Sequence, residues 1–564
     1  MRFYPLTQKL RTLQSASLRT MLNMSAQTYK GNPSYATIGK PHLDYFGGVT
    51  RQSHLTHVEK LALECYQSDP KLALACFFQK RDCRGGAGER RPFYHSMKVL
   101  PPEVRRKFYR MIPHYGYWND LNSLAELIPE DRKFIAGLWA DALLKNLIGF
   151  EHGVISRGVE KWLPTEGGHD DTKWQAVDAI IEALNALLSD PIELRNPVQK
   201  TVLAQFQKQV GKDCKVVWTG STLNADLTDT IVCQRTAWIL NLTEKLPLTV
   251  KKFNKRNYRK WCSFMRAYSE VLEHYTSTQH WDWVDYAKVP SIAFDRTKKQ
   301  FMQHTPDRFK VFIESVKQGD AKINVSRLAP YQLVAQESSE VADQQWNLVV
   351  EETERFYQGV PSDCIFRPEN SIHVADVSGS MTSLTSGVRP IDVALSMAVL
   401  SAEVGRRPLY TFSGQPKRFE PTWERLSEAK KTIIDHNYNT NFKGLLDRIA
   451  VDTKDAPPKC IYVYTDGGFD QMCQENPISA ADYIEKLWPE DRPVVIFWNV
   501  AGNVTDFATT TEHSGIVQLS GFSKDLYRTM TRLSSLGELN PESFFRSAVL
   551  CDRYQPVLDH WDSS

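Results

Sequence analysis

The chain has 564 residues, 42% hydrophobic and 24% charged, which is enough for more than one hydrophobic core. Its 69 Lys and Arg against 66 Asp and Glu leave a net charge of +3, so a nucleic-acid surface has to be a local patch rather than a global field. No run reaches the roughly 18 apolar residues of a membrane span; ten cysteines without a Cys-x-x-Cys pair exclude a zinc ribbon and read as reduced thiols, and with no secretory leader pattern a cytoplasmic location is expected.

Residues 1–45 form a basic arm, with Arg2, Lys9, Arg11, Arg19, Lys30 and Lys40 and no acid before Asp44. Such an arm fits either an organellar transit peptide or a mobile basic segment that touches RNA. From about residue 50 to 360, apolar residues recur at helical spacing in segments separated by short Gly, Pro or Asn turns. Helices are expected over Leu55 to Cys65, Pro70 to Gln79, Glu103 to Met111, Lys133 to Leu147, Trp174 to Leu188, Thr230 to Leu240 and Tyr258 to Tyr275. The expectation is an all-α stacked-helix domain over 46–365, with no fixed-length repeat visible in the sequence.

Three local segments of this half carry possible contacts. In Arg84-Gly85-Gly86-Ala87-Gly88-Glu89-Arg90-Arg91, glycines allow backbone amides to approach an anion, but the Gly-Lys-Ser/Thr ending of a nucleotide loop is missing. The segment is either a turn between helices, with Glu89 pairing Arg81 or Arg84, or an RNA-phosphate contact through Arg84 or Arg90. Tyr115, Tyr117 and Trp118 are either base-stacking rings or core. The run Lys251-Lys252-Phe253-Asn254-Lys255-Arg256-Asn257-Tyr258-Arg259-Lys260 interleaves six cations with two aromatics. That pattern suits phosphate neutralisation plus base stacking through Lys252, Lys255, Arg256 and Arg259, or else a solvated helix entry whose aromatics pack inward.

Together with His114 to Leu121, Lys161-Trp162-Leu163-Pro164, Ala321-Lys322-Ile323-Asn324 and the Tyr258-Arg259-Lys260 segment leading to Trp281 and Val289-Pro290-Ser291, these stretches resemble landmarks of the TROVE module. The resemblance is to Ro-type RNA-binding proteins and their less characterised relatives, and it covers about residues 45 to 555. It implies a HEAT-like helical ring that admits single-stranded RNA ends, a basic outer face that holds structured non-coding RNA, and a following α/β von Willebrand A (Rossmann-like) domain.

Strands expected at Ile372 to Ala375, Leu409 to Phe412, Ile461 to Tyr464, Val494 to Trp498 and Ile516 to Leu519 alternate with helices at Ile391 to Val404, Phe442 to Ile449 and Ala480 to Leu487. This pattern predicts a parallel α/β sheet over 366–555, followed by a short tail, 556–564. The first strand ends in Asp376-Val377-Ser378-Gly379-Ser380, where alternate residues aim one carboxylate and two hydroxyls the same way, as a hard divalent cation requires. Further oxygen donors stand at Thr440 and at Asp466, each expected on a loop. Asp376, Ser378, Ser380, Thr440 and Asp466 resemble, in order, the complete metal-ion-dependent adhesion site of a von Willebrand factor A domain. The resemblance implies Mg²⁺ or another divalent cation such as Mn²⁺, with one coordination position left for a ligand oxygen, often a partner's carboxylate.

No Ser-His-Asp, Cys/His, His-Glu-x-x-His or paired-carboxylate arrangement stands out, and His373 and His436 read as structural. A non-catalytic RNA-binding scaffold with a metal site for an acidic partner is therefore expected, ahead of a metal-assisted nuclease. The alternative is a metal-dependent protein adaptor that binds no RNA.

Overall fold

The computed structural model describes residues 26–28, 30–152, 158–211, 216–219, 223–225, 230–336, 339–383, 387–423, 426–433, 439–472, 477–532 and 539–563. Arg2, Lys9, Arg11, Arg19 and His436 lie outside them. The chain forms two compact units, Met1–Leu100 with Val325–Ser564 and Pro101–Asn324. The expected boundary at 365/366 therefore moves, and the first unit is discontinuous in sequence.

The first unit is built on a six-stranded mixed sheet. Its order is Ile516–Ser520, Val494–Asn499, Cys460–Thr465, Ser371–Asp376, Leu409–Phe412, Lys417–Phe419, all neighbours parallel except the last pair. The antiparallel edge strand Lys417–Phe419 was not expected: three residues flanked by Pro416 and Glu420 give no period to read. Alternation sorts the central strand's side chains. Ile372 and Val374 join Phe442, Leu445, Leu446 and Ile449 in an apolar core, while His373 turns to a buried tyrosine cluster. There its ring stacks on Tyr462 at 4.7 Å, and Nδ1 lies 2.9 Å from the Tyr464 hydroxyl. Burial pushes His373 down to about 3, so it is a neutral core residue, as its place in an apolar strand suggests.

The arm is not a mobile basic tail over its described part. Strands Ala26–Gln27 and Pro33–Ser34 form a hairpin, and Tyr35 exchanges backbone hydrogen bonds with Phe507 at 3.0 and 2.7 Å. The Tyr35 ring is fully buried, with its hydroxyl 2.9 Å from Ser479 Oγ. Helix Pro41–Gly48 then packs beside strand Ile516–Ser520. Helix Pro70–Arg81 continues this attachment: the ammonium of Lys80, fully buried, donates to the carbonyls of Phe46 and Ser520 and to Ser520 Oγ. The tail is also ordered, as helix Gln555–Asp562 packs on Pro70–Arg81. Apolar and hydrogen-bonded anchors from residues 33 to 82 thus tie the amino-terminal segment to the α/β core, which is why the units divide at Leu100.

The second unit is helical. Its main members are Arg132–His152, Ala176–Leu187, Arg195–Val210, Ile231–Glu244, Lys255–Tyr268, Ser291–His304 and Pro306–Lys317, packed largely as sequential neighbours. Thr230 and Asn254 cap two of these helices by accepting the amides of Cys233 and Asn257. The single helix expected over Tyr258 to Tyr275 is broken. Glu270 takes φ +55°, and the Val271 amide returns to the Arg266 carbonyl at 3.0 Å, the left-handed stop that closes a helix end. Among the described residues, no helix is long and apolar enough to cross a membrane, and Cys65, Cys76, Cys233, Cys262, Cys364 and Cys460 are buried free thiols.

Candidate cation site and candidate RNA contacts

The sheet's connectivity fixes where a site belongs. From Ser371–Asp376 the chain moves to Leu409–Phe412 on one side and later returns to Cys460–Thr465 on the other, which opens a crevice at the carboxyl ends of these strands. Asp376 sits there and is fully buried. Its Oδ1 accepts the Ser378 amide at 2.9 Å and its Oδ2 accepts the Thr465 hydroxyl at 2.7 Å. Burial, and then the charge of Asp466, push the Asp376 carboxyl up to about 7. Ser378 Oγ is buried 3.2 Å from Ser380 Oγ, and Ser380 is exposed.

Thr440 is buried at the same end of the sheet, where the Asn441 amide donates to the Ser413 carbonyl just past strand Leu409–Phe412. Asp470 clamps it: the Thr440 amide donates to Asp470 Oδ2 at 2.8 Å, and the Asp470 amide donates to the Thr440 carbonyl at 3.0 Å. Asp466 is half-buried on the loop after Thr465 and accepts the Gly468 amide at 2.9 Å. Gly467 between them has φ +83°, a conformation that favours glycine.

These residues fit a hard cation. The donors are oxygens only, and a carboxylate pushed up by burial and then by its neighbour's charge is an imbalance that a cation relieves. Among the described residues there is no group of three or more His, Cys, Asp or Glu arranged to hold a metal. No sequence pattern singled out Thr465, Asp470, Asp506 or Lys30 as part of this corner. Asp506, pushed up to about 6 by burial and by Asp466, is a further carboxylate of this corner. Lys30 Nζ lies 3.0 Å from Thr440 Oγ1. Thr465 could have been marked, as the polar end of a strand beside Asp466, and Asp470 stands further along the same loop; Asp506 and Lys30 come from distant segments.

The glycine-rich segment proves to be a helix stop. The amides of Gly86 and Gly88 donate to the Asp82 carbonyl, and those of Ala87 and Glu89 donate to the carbonyls of Gln79 and Lys80. Its amides are thus spent on the carboxyl end of helix Pro70–Arg81 and cannot cradle a phosphate. A Cβ on Gly86 would fall 2.0 Å from the Gln79 carbonyl oxygen, so a side chain has no place there. Glu89 is fully buried and pairs with Arg51, a partner the sequence did not suggest: it accepts the Arg51 amide at 2.7 Å and Nε at 3.0 Å. Arg90 is exposed and Arg84 partly so.

In the helical unit Tyr115 is fully buried, so its ring offers no face to a base and its assignment as a stacking residue is withdrawn. Trp118 is half-buried, 4.9 Å from the Trp139 ring, beside a cavity of about 220 Å³. In the basic run Lys251, Lys252, Lys255, Arg256 and Arg259 are exposed, whereas Phe253 and Tyr258 are buried. The run therefore offers charge without stacking. Lys255 pairs with Asp178 at 2.9 Å and Arg259 with Glu166 at 3.2 Å. Asn119 and the Lys161 to Leu163 segment line a cleft of about 540 Å³ with Arg266. Arg266 donates to the Leu163 carbonyl at 2.7 Å, and the Tyr258 hydroxyl donates to the Pro164 carbonyl at 2.9 Å. Several quoted landmarks are thus neighbours through packing.

Fold and site together define a helical unit joined to an α/β unit that carries a hydroxyl-and-carboxylate site at its sheet's carboxyl edge. Residues 240–356 match a domain of unknown function (DUF2828) and residues 370–543 match a second one (DUF7788). The chain is similar to Uncharacterized protein L728 of Acanthamoeba polyphaga mimivirus, with 25% identity over 580 residues covering 95% of this chain and 88% of that protein. Among solved structures it matches the crystal structure of Deinococcus radiodurans RO (RSR) protein at 13% identity, covering 88% of this chain and 99% of the other, with a TM-score of 0.38, too slight a likeness to carry an argument.

Proposed function

We propose that the protein is a non-catalytic RNA-binding scaffold of the Ro type. The helical unit, as a HEAT-like ring, engages single-stranded or structured non-coding RNA, and the cation site of the α/β unit receives a carboxylate from an acidic partner. The observation that supports RNA binding best is the exposed run at the start of helix Lys255–Tyr268. Five cations, Lys251, Lys252, Lys255, Arg256 and Arg259, crowd the positive end of a helix dipole, an arrangement that costs stability unless anions are near. Asp178 and Glu166 offset only part of that charge, and a phosphate backbone offsets the rest. The landmark resemblance to TROVE modules points the same way.

In the α/β unit, Asp376, Ser378, Ser380, Thr440 and Asp466 are the residues that would hold Mg²⁺, and exposed Ser380 marks the side from which a partner approaches. The bound ion supplies a Lewis-acidic position for a ligand oxygen. The site is read as a binding site because it gathers one set of donors rather than the two-ion clamp of phosphoryl transfer.

Binding of labelled single-stranded RNA across a salt series, with and without EDTA, tests the reading. Affinity is expected to fall steeply with salt and to survive EDTA. Replacing Lys255, Arg256 and Arg259 together by Ala is expected to weaken binding roughly tenfold or more and to flatten the salt slope by up to about three contacts, less whatever Asp178 and Glu166 already neutralise. No binding at low salt would leave the metal-dependent protein adaptor, for which the exposed Ser380 edge is the supporting observation.

A further inference from the structure

The cation site contains a residue that its sequence pattern never pointed to. Between the hairpin strands Ala26–Gln27 and Pro33–Ser34, Thr28, Gly31 and Asn32 are fixed to the loop that follows strand Cys460–Thr465. The Thr28 hydroxyl donates to the Phe469 carbonyl at 2.7 Å, the Met472 amide donates to Asn32 Oδ1 at 3.1 Å, and Gly31 forms a β-bridge with Asp470. The turn closes on itself as well, with the Gly31 amide on the Thr28 carbonyl at 2.8 Å and Gly31 at φ +85°.

That frame projects Lys30 onto the site. Its ammonium donates to Thr440 Oγ1 at 3.0 Å and lies 3.1 Å from Asp470 Oδ1, the carboxylate that clamps Thr440. Thr440 Oγ1 is one of the five oxygens assigned to the divalent ion, and an ammonium beside it is a positive charge among donors gathered for another positive charge. Lysine carries no lone pair when protonated, so it neutralises such a site and cannot help to coordinate metal. Two cations drawn to one oxygen repel each other, and the repulsion is weakly screened beside the fully buried Thr440.

We infer that Lys30 is a tethered occupant of the cation site: docking of the hairpin tip and binding of a divalent ion compete, so that each lowers the affinity for the other. This rests on the reading of Asp376, Ser378, Ser380, Thr440 and Asp466 as a metal site. Linkage makes the effect reciprocal, with metal loosening the tip by the same factor by which the tip weakens metal. The first unit therefore has a metal-free state neutralised from within, and a partner carboxylate has an open metal position only after Lys30 has left.

The test is calorimetric titration of Mg²⁺, and of Mn²⁺ in parallel, into the EDTA-treated full-length wild type, Lys30→Met and Asp376→Ala. Lys30→Met keeps the aliphatic stem and removes the charge. It is expected to bind metal about tenfold more tightly than wild type, within the usual range of coupling between linked ligands. It is also expected to melt below wild type without metal and to recover most of that difference at saturating Mg²⁺. Equal or weaker metal affinity in Lys30→Met, with heats that vanish in Asp376→Ala, would overturn the role of Lys30 and leave the metal site standing. No metal-specific heat in either wild type or Lys30→Met would overturn the metal site itself, and the competition with it.

Discussion

Millimolar Mg²⁺ is expected to raise the melting temperature of the wild-type chain by a few degrees, and Asp376→Ala is expected to abolish that response. An ion present at 100 times its dissociation constant stabilises the state that binds it by about 2.7 kcal/mol. The donors needed for this are in place at the edge of the sheet: a buried carboxylate, buried Ser378 and Thr440, exposed Ser380 and half-buried Asp466. The substitution has two opposed effects without metal. It removes a carboxyl that burial, and then the charge of Asp466, push up to about 7, and it leaves the Ser378 amide and Thr465 hydroxyl without their acceptor. Each unsatisfied buried group costs about 1–3 kcal/mol, so a modest loss in metal-free stability is expected alongside the lost Mg²⁺ response. Differential scanning fluorimetry with Mg²⁺, Ca²⁺ and EDTA is the direct measurement. A wild-type melting temperature that ignores Mg²⁺ would remove the metal site from the account.

Asp82→Ala is expected to destabilise the first unit by about 3–5 kcal/mol, the usual cost of stranding one partner of a buried ion pair. Asp82 is fully buried at the end of helix Pro70–Arg81. Its Oδ2 accepts Arg553 Nε at 2.8 Å and the Tyr554 hydroxyl at 3.1 Å, while Oδ1 accepts Arg553 Nη2 at 2.9 Å and the Arg84 amide at 2.9 Å. Truncation takes this acceptor from the Arg553 guanidinium and from the buried Tyr554 phenol, and it loosens the tie between the carboxyl-terminal helix and the amino-terminal segment. Asp82→Asn keeps the shape and one acceptor, so it is expected to cost roughly 1–3 kcal/mol. Urea unfolding monitored by tryptophan fluorescence reads both. An RNA-contact role for this motif forecasts the opposite pattern, unchanged unfolding midpoints with weakened RNA binding, and that result would refute the clamp.

Much of the α/β unit was legible in the chain. All five strands expected between Ile372 and Leu519 are present within one or two residues at their ends, because a parallel sheet covered on both faces needs continuous apolar runs and the helices between them read at a different period. The Asp-x-Ser-x-Ser turn was legible for the same local reason, since its three oxygens follow from one strand end. Helices were likewise readable where apolar spacing persisted, and Glu270 escaped because a left-handed helix stop by a glutamate carries no compositional mark.

Charge and glycine proved poorer guides than apolar periodicity. Glycines 85, 86 and 88 invited an anion, yet the tertiary structure spent the surrounding amides on the helix they follow. Lys30 read as one cation of a basic arm, and only the hairpin's anchorage to residues 469 to 472 brings it to Thr440. By itself the sequence determined which segments are helix and strand and where one hydroxyl-rich turn lies, since those depend on the spacing of neighbours. Only the tertiary structure decided that the amino-terminal segment belongs with the sheet, that Asp82 and Glu89 are buried clamps, and that the Lys30 ammonium reaches Thr440. Each of these depends on contacts between groups up to about 470 residues apart, and no local pattern encodes such contacts.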